Sequence, residues 1–597
     1  MGKQMTGQET TTEQMTGAAM VVRALIDQGV DAIFGYPGGA VLPIYDEIFK
    51  QNRLKHFLVR QEGGAVHAAE GYARSTGKIG VVLVTSGPGA TNAVTGLTDA
   101  LMDSVPVVCL TGQVPTHLIG NDAFQEADTT GITRPCTKHN YLVKDVEDVA
   151  RTMHEAFYVA RSGRPGPVVI DLPKDVQFAT GTYHGPESFK HRSYRPRTEP
   201  EAASIEEALD LMAKAERPLF YVGGGVINAG PEASETLRSL VRATGFPITQ
   251  TLMGLGAFPT HDAQSLGMVG MHGLYESNMA MHDCDLLIAI GARFDDRVTG
   301  RIDAFSPSST KIHVDIDASS INKNVHVDLP IIADAGRALS ALLSGWREKK
   351  LKADAKAIDL WWKVIDKWRE RKCLAYDADG PVIKPQLALE RLQAAMEASD
   401  KPYFVTTEVG QHQMWAAQFL KFDDPNHWMT SGGLGTMGYG LPAAVGVQVA
   451  HPDALVVDVS GEASFMMNMQ EMSTISQYKL PVKLFILNNQ WMGMVRQWQE
   501  LLHGGRYSES YTDALPDFVK LAEAFGWTGI VAHTTADLDG AITRMLATDG
   551  PVIVDVRVDQ AENCYPMIPS GAAHNEMLMG PNASQDADVS DAGKALV

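Results

Sequence analysis

Two short polar segments at the ends of apolar runs have the residue types of a divalent metal site. Gly461-Glu462-Ala463-Ser464 follows the apolar run 454–460, and Asn488-Asn489 follows the next apolar run, 481–487. Because parallel strands end at the same edge of a sheet, a carboxylate and an amide oxygen are expected side by side there. Mg²⁺ accepts such oxygen ligands and fills its remaining positions with phosphate oxygens and water. The sequence therefore predicts a diphosphate clamp at the carboxyl end of a parallel sheet.

Three further segments place polar or glycine residues next to predicted strands. Glu62 follows an apolar strand and precedes a helix, a position at which an acidic residue can equally be a simple helix cap. Val409–His412 follows the strand 403–407, where backbone amides at a helix start can bind a diphosphate. Ser431–Gly440 is a glycine-rich turn that permits close approach of the backbone to a ligand.

Length and composition limit the class of protein. The 597 residues are too many for one core and predict about three or four domains. The net charge of -20 argues against nucleic acid or an anionic membrane as a partner. The five cysteines show no CxxC spacing, and no apolar run reaches membrane-spanning length, so we expect reduced thiols and a cytoplasmic location. Residues 1–15 are polar and are expected to form a disordered tail.

Apolar strands alternate with amphipathic helices along the chain, which predicts an α/β fold of three doubly wound parallel sheets. The predicted units are a first domain at 16–182, a central domain at 200–350, a helical connector with a linker at 351–383, a third domain at 384–560 and a C-terminal tail at 561–597. The predicted strands are 32–34, 56–59, 80–85, 105–111, 167–171, 218–222, 285–291, 311–317, 403–407, 455–459, 483–487 and 552–556. The first and third domains are expected to be structural relatives.

The Gly-acid-small turn followed by Asn-Asn resembles the signature of the thiamine diphosphate (ThDP) enzymes, which usually have Asp where this chain has Glu462. The resemblance implies that Glu62 holds N1′ of the cofactor's aminopyrimidine ring and promotes loss of the C2 proton. Met437 would support the bent cofactor, and the carbonyl of Gly435 would accept from its 4′-amino group. The implied Mg²⁺ set is Glu462, Asn489 and Trp491, and the implied ThDP set is Glu62, Val409, Gly410, Gln411, His412, Gly435, Met437, Ala463, Ser464 and Met494.

Four stretches narrow the resemblance to the biosynthetic acetohydroxyacid synthases, namely 34–40, 120–126, 291–300 and 492–498. The resemblance covers about residues 16–577, and it implies Gln125 and Lys174 as catalytic residues beside Glu62. An Arg297 guanidinium can bind a keto-acid carboxylate, and Trp498 can distinguish ethyl from methyl side chains by packing. A surface ion pair between Asp296 and Arg297, or core packing of Trp498, is the alternative. The implied substrate set is Gly39, Ala40, Phe124, Met271, Asp296, Arg297 and Trp498.

The same resemblance implies FAD in the central domain, with no net redox role. The implied FAD set is Arg164, Gly223, Gly224, Gly225, Thr251, Leu252, Met253, Met271, Gly291, Arg293, Asp315, Ile316 and Asp334.

The implied reaction decarboxylates pyruvate on ThDP and transfers the hydroxyethyl carbanion to a second 2-keto acid, pyruvate or 2-ketobutyrate. The implied assembly is a homodimer or homotetramer with a small regulatory subunit. Two alternatives remain open: a flavin-reducing relative such as pyruvate oxidase, and a catalytically silent paralogue, for which the Glu462 departure is the only support.

Overall fold

The computed structural model describes residues 13–189 and 191–580, and it contains three sheets of six parallel strands each. Helices connect the parallel strands, as βαβ crossovers require. The predicted α/β fold with three parallel-sheet domains is confirmed. No helix within the described ranges is long and apolar enough to cross a membrane.

The first domain contains the sheet with strand order β3-β2-β4-β5-β7-β6 and a separate antiparallel pair, β1-β8. Its strands are β1 (Glu13–Thr16), β2 (Ala32–Gly35), β3 (Lys55–Leu58), β4 (Gly80–Val84), β5 (Val107–Gln113), β6 (His139–Leu142), β7 (Val168–Pro173) and β8 (Thr180–Tyr183). Its helices are α1 (Gly17–Asp27), α2 (Leu42–Phe49), α3 (Glu62–Thr76), α4 (Pro88–Asn92), α5 (Val94–Met102), α6 (Thr129–Thr133), α7 (Val149–Arg161) and α8 (Lys174–Phe178).

The central domain contains the sheet with strand order β11-β10-β9-β12-β13-β14. Its strands are β9 (Pro218–Val222), β10 (Ile248–Gln250), β11 (Ser265–Met268), β12 (Leu286–Ile290), β13 (Thr310–Asp315) and β14 (Leu329–Ile332). Its helices are α9 (Ala202–Lys214), α10 (Gly224–Asn228), α11 (Pro231–Thr244), α12 (Tyr275–Asp283), α13 (Asp296–Thr299), α14 (Ala335–Glu348) and the connector helix α15 (Ala355–Arg369). The strand order reverses between β9 and β12, and this order is typical of dinucleotide-binding sheets.

The third domain contains the sheet with strand order β16-β15-β17-β18-β20-β19. Its strands are β15 (Tyr403–Thr407), β16 (Trp428–Met429), β17 (Leu455–Ser460), β18 (Lys483–Asn488), β19 (Thr528–Ala532) and β20 (Val552–Arg557). Its helices are α16 (Pro385–Glu397), α17 (Gln411–Phe419), α18 (Gly440–Ala450), α19 (Glu462–Phe465), α20 (Met472–Tyr478), α21 (Gly493–Leu502), α22 (Phe518–Ala524) and α23 (Thr535–Ala547). Counted along the chain, its six strands have the same spatial order as those of the first sheet, which confirms the predicted kinship of the two domains.

The first and third domains share one hydrophobic core across helices α3 and α18. Val66 and Ala69 of α3 lie in the same buried cluster as Leu441 and Ala444 of α18. Gly446 packs so closely on α3 that a side chain at this position would collide with the carbonyl of Ala68. This shared core fixes the loops of the third domain relative to the helices of the first.

The structure corrects the predicted termini. Residues 13–15, expected in the disordered tail, belong to strand β1, which pairs with β8. Residues 561–580, expected in the C-terminal tail, are folded, and Cys564, Met567 and Leu578 are buried. Residues 1–12 and 581–597 of the two predicted tails lie outside the described residues. The prediction also missed eight strands: β1, β6, β8, β10, β11, β14, β16 and β19.

Candidate active site

A cavity of about 900 Å³ lies where the three domains meet. The central domain contributes the turns after β9 and β12, and the third domain contributes Val409, Gly410 and the turn Ser431–Gly440, called here the cofactor turn. The first domain contributes the end of α5, with Asp103, and the segment around Arg164. The cavity therefore depends on the packing of all three domains.

One half of the cavity has the geometry of a dinucleotide cradle at the point where the central sheet reverses its order. Gly291 has φ +60, and a Cβ there would lie 2.7 Å from Cα of Gly225. The turns after β9 and β12 thus approach each other so closely that only glycine fits. The cavity lining includes every residue of the predicted FAD set: Arg164, Gly223, Gly224, Gly225, Thr251, Leu252, Met253, Met271, Gly291, Arg293, Asp315, Ile316 and Asp334.

Two carboxylates lie in this half, one at the end of a strand and one at the start of a helix. Asp315 ends β13, and its Oδ1 accepts the backbone N–H of Asp317 at 2.8 Å. Asp334 caps α14 and accepts the backbone N–H of Arg337 at 3.0 Å. Acceptors at such positions can bind the hydroxyl groups of a ribose. A dinucleotide such as FAD therefore fits this half of the cavity.

The turn between β15 and α17 has the properties of a phosphate site. Gly410 has φ +154, and a Cβ at this position would lie 2.8 Å from Cε1 of His412. Burial lowers the pKa of His412 to about 3, so its imidazole is neutral at physiological pH. Its Nε2 has no hydrogen-bond partner within the described residues, and its Nδ1 lies against Gly461. A neutral imidazole with an unused nitrogen can donate to an anion held between these two turns.

The three residues of the predicted metal set lie together beside this turn. Glu462 is 1% exposed, and the nearby backbone of Asn489 and Trp491 favours the ionised form of its carboxyl. Oδ1 of Asn489 accepts the backbone N–H of Trp491 at 3.0 Å. Burial raises the pKa of Glu462 to about 8, and Oε1 has no hydrogen-bond partner in the described part of the chain. A buried oxygen without a donor is what a cation would satisfy, so this donor set fits Mg²⁺.

Glu408 holds the third-domain side of the site together, and the sequence analysis missed it. Its buried carboxylate accepts from the backbone N–H groups of Gly438 at 2.7 Å and Leu441 at 3.1 Å, and from Oγ of Ser464 at 2.8 Å. Burial raises its pKa. Its position directly after the predicted strand 403–407 and directly before Val409 was the only signal in the sequence.

The remaining third-domain residues of the predicted ThDP set surround this group. Gln411 receives a hydrogen bond from Nδ2 of Asn489 at 3.3 Å, which joins the α17 start to the metal set. Ala463 lies between Glu462 and Ser464 in α19. The predicted ThDP residues that line the cavity are Val409, Gly410, Gly435, Met437 and Met494.

The predicted catalytic residues of the first domain lie apart from this cavity. Asn92 donates to Oε2 of Glu62 at 2.9 Å, and a Cβ at Gly89 would lie 3.5 Å from Oε1 of Glu62. Gln125, with φ +59, packs its backbone against Gly87 of the same turn. Among the described residues, those that line the cavity include neither Glu62 nor Gln125 nor Lys174.

Three predicted substrate residues lie on the same first-domain face. The N–H of Ala40 donates to Oγ1 of Thr85 at 3.4 Å, and Thr85 lies just before the turn that carries Gly87 and Gly89. Gly39 directly precedes Ala40. Phe124 is 89% exposed beside Gln125, an unusual state for a phenylalanine. The structure therefore divides the predicted site into a third-domain group at the cavity and a first-domain group outside it, in which Phe124 and Gln125 are exposed.

The other predicted substrate residues lie at one rim of the cavity. Met271, Arg297 and Trp498 line it, so Trp498 is not simply a core residue. Asp296 and Arg297 form an ion pair at 3.6 Å, in which the side chains are 72% and 50% exposed. The folded C-terminal segment reaches the same rim, because the N–H of Ile568 donates to the carbonyl of Met271 at 2.7 Å.

Comparison with protein families agrees with this division into three domains. The N-terminal TPP binding domain of thiamine pyrophosphate enzymes matches residues 15–132, the central domain of these enzymes matches 205–342, and their C-terminal TPP binding domain matches 408–556. The matched C-terminal domain contains the cofactor turn and the predicted metal set.

Individual relatives match along almost the whole chain. Acetolactate synthase isozyme 3 large subunit of Escherichia coli is 49% identical over 95% of this chain and 99% of its own length. An acetolactate synthase large subunit of Haemophilus influenzae is 48% identical over 95% of this chain and 98% of its own. An acetolactate synthase large subunit of Cyanidium caldarium is 46% identical over 94% of this chain and 96% of its own length. The chain therefore belongs to the thiamine pyrophosphate enzymes and, within them, to the family of acetolactate synthase large subunits.

Proposed function

We propose that the chain catalyses decarboxylation of pyruvate and transfer of the resulting two-carbon unit to a second 2-keto acid, pyruvate or 2-ketobutyrate. The observation that carries this proposal is the cavity itself. The turn between β15 and α17, at Gly410, and the cofactor turn line the same space as Arg297 and Trp498. A cationic side chain and an indole beside a diphosphate site suit small substrates that carry a carboxylate and a short alkyl group.

The cofactors proposed for this cavity are ThDP with Mg²⁺. When bound, ThDP supplies an electron-withdrawing ring that stabilises negative charge at the former carbonyl carbon of the substrate. Glu462 and Asn489 would provide oxygen ligands to the metal, together with the backbone carbonyl of Trp491. The amides at Val409–Gln411 and the His412 imidazole would bind the diphosphate at the start of α17.

Glu62 is the proposed proton-transfer residue. Its Oε2 is held by Asn92, which leaves Oε1 to hold a proton at the aminopyrimidine nitrogen of the cofactor. Gln125 and Lys174 would contact the substrate from the same face. Arg297 would bind the substrate carboxylate, with Asp296 orienting its guanidinium.

A dimer is the proposed functional unit, since Glu62 does not line the cavity that Gly410 and the cofactor turn line in the same chain. The first domain exposes Phe124, beside Gln125, at 89% and Phe178, at the end of α8, at 63%, and exposed aromatic side chains of this kind suit a surface covered by another subunit. A second copy would bring its own cavity against this face. Association into a tetramer, and with a smaller regulatory subunit, is proposed only from the kinship with large subunits.

FAD is the proposed ligand of the central-domain half, in a structural role. We expect Gly291→Ala to abolish flavin binding, because its Cβ would collide with Gly225 and occupy the cradle. Flavin absorbance per chain after purification measures the loss.

Gly245→Ala is the matched control, because Gly245 also has positive φ, at +75, but a Cβ added there would meet no atom within 4 Å. Gly245→Ala should lose about 1–2 kcal/mol of stability from the left-handed backbone, and Gly291→Ala should lose at least as much, because of its added collision with Gly225. Only Gly291→Ala should lose flavin. Equal flavin content in the two variants would contradict the assignment of the cradle.

A product assay tests the proposed reaction. Purified protein is incubated with pyruvate, ThDP, Mg²⁺ and FAD, with and without 2-ketobutyrate. Acetolactate, with acetohydroxybutyrate appearing in competition, is the expected result. Hydrogen peroxide would favour the flavin-reducing alternative, free acetaldehyde a simple decarboxylase, and no product with intact cofactor binding the silent paralogue.

A further inference from the structure

Two carboxylates of the first domain hold the cofactor turn, although they are more than three hundred positions away in sequence. Asp103, just after α5, accepts the backbone N–H of Gly432 at 2.9 Å on Oδ2 and that of Gly433 at 2.6 Å on Oδ1. Asp99 accepts from Oγ of Ser431 at 2.5 Å and from Oγ1 of Thr436 at 3.1 Å on the same oxygen. Both ends of the glycine-rich part of the turn are thus tied to α5.

The turn needs such support, because residues 431–437 belong neither to a helix nor to a strand. Within it, the backbone N–H of Thr436 donates to Oγ of Ser431 at 2.8 Å, so Asp99 closes a small ring of hydrogen bonds. From the other side, Glu408 accepts from the backbone N–H of Gly438, and the side-chain amides of Gln413 and Asn468 donate to the carbonyls of Ser431 and Gly438, which leaves residues 432–437 to Asp99 and Asp103. The orientation of Gly435 and Met437, which line the cavity, therefore depends on Asp99 and Asp103.

The two carboxylates belong to a buried polar cluster between the first and third domains. His67 contacts Glu70 at 3.2 Å and lies 4.0 Å from Asp99, and all three residues are buried. Oε2 of Glu70 and Oδ2 of Asp99 have no hydrogen-bond partner within the described residues. Asp103, in contrast, uses both oxygens and is partly exposed to the cavity.

We propose that Asp99 and Asp103 are positioning residues that fix the cofactor turn in the shape required to hold ThDP, an assignment that rests on the proposed function. Asp103 is the stronger support, because two successive N–H groups require both oxygens of an ionised carboxylate. An amide offers one acceptor oxygen and turns an NH₂ group toward the second N–H. A hydrogen bond to a charged group contributes more than one between neutral groups.

The proposal predicts a pH dependence of ThDP binding that originates in Asp103. Burial and the neighbouring Asp99 raise the pKa of Asp103 to about 7, and burial together with the neighbouring Glu70 raises that of Asp99 to about 8. Asp103 is ionised above its pKa, so its hold on the two N–H groups is present there and is lost as the pH falls below about 7. The charged and titratable groups around it are Asp99, Glu70, Arg74, Tyr439, Arg164 and Arg293.

The test measures the Kd of ThDP in excess Mg²⁺ for the full chain and for Asp103→Asn between pH 6 and pH 9, together with Tm and flavin content. At pH 8.5 we expect Asp103→Asn to raise Kd at least about tenfold. The difference in affinity between the two proteins should shrink below pH 7, because the wild-type carboxylate is then protonated. Asp171→Asn is the control, since Asp171 is a buried carboxylate of β7 with a pKa also raised to about 7, but it accepts from Thr111 and Gln113.

Asp171→Asn should lower Tm without changing the Kd of ThDP. An unchanged Kd in Asp103→Asn, or the same Kd change in both variants, would overturn the positioning role. Failure of the wild-type chain to bind ThDP would overturn the proposed cofactor and this assignment with it. If Asp103→Asn does not fold, Thr436→Val takes its place, because it removes the hydroxyl that donates to Asp99. A higher Kd of ThDP in this variant would support the positioning role, and an unchanged Kd would overturn it.

Discussion

Replacement of Glu62 by Gln is expected to lower kcat for acetolactate formation by about 10²–10⁴-fold, the usual contribution of a positioned proton-transfer group. Gln keeps the size of the side chain and can still contact Asn92, which donates to Oε2 at 2.9 Å in the native protein. It cannot take up or release a proton. Because the change leaves the diphosphate and metal residues intact, the Kd of ThDP should change much less than kcat.

Glu155→Gln provides the matched control for this variant. Glu155 is a partly buried carboxylate of the same domain, and it pairs with Arg151 at 2.9 Å on α7, away from the turn around Gly89. The Glu155→Gln enzyme should retain the wild-type kcat. A Glu62→Gln enzyme with near wild-type kcat would remove Glu62 from the reaction, whereas an equal loss in both variants would indicate a general effect of lost charge on the domain.

The same variant tests whether each site is shared between two chains. Assayed at a ThDP concentration near the wild-type Kd, Glu62→Gln and Glu462→Gln chains should each be nearly inactive, and in a hybrid dimer one site keeps both native residues. After dissociation and reassociation of an equal mixture, activity should recover to about a quarter of that of the wild type, because half the dimers are hybrids with one intact site. No recovery, with hybrid dimers verified by mass spectrometry, would place both residues of a site on one chain.

Much of the local chemistry of the site was predictable from sequence because the turn at Gly410 and the metal set directly follow strands that the sequence predicts. Strands β9 and β15 have the predicted bounds, and their glycine turns fall where the sequence analysis placed them. The missed strands are short or contain polar residues, as in β6 with His139 and Asn140 and in the two-residue β16. Their pairing partners, not their own composition, make them strands.

What the sequence analysis missed are contacts between distant parts of the chain. Asp99 and Asp103 look like ordinary helix-end acids, and only the packing of α3 and α5 against the third domain places them beneath the cofactor turn. The C-terminal segment was expected to be a tail, but Met567 and Ile568 find their apolar partners only in the folded protein. In both cases the interaction energy comes from residues that no local pattern connects.

The second large effect is expected at Glu462, where the resemblance to the ThDP enzymes implies Asp. Glu462→Gln should weaken Mg²⁺-dependent ThDP binding by at least about 10–100-fold, since even indirect partners of a metal contribute that much. Gln keeps an oxygen and the contacts with the backbone around Asn489, but it removes the charge that Mg²⁺ requires. The measurement is the Kd of ThDP at a series of Mg²⁺ concentrations, with EDTA as the zero point.

Glu471→Gln separates loss of a metal ligand from loss of a buried charge. Glu471 is also 1% exposed, and burial raises its pKa too, but it accepts from Thr474 and the backbone of Arg60. The Glu471→Gln change should lower Tm and leave the Mg²⁺ dependence of the Kd of ThDP unchanged. Glu462→Asp addresses the departure itself: because the native carboxylate is fully buried beside Asn489, the backbone has already accommodated the longer side chain, and the shorter one should bind Mg²⁺ more weakly than Glu462. Tighter Mg²⁺ binding by the Asp variant would instead mean that the extra methylene is a defect in the metal site.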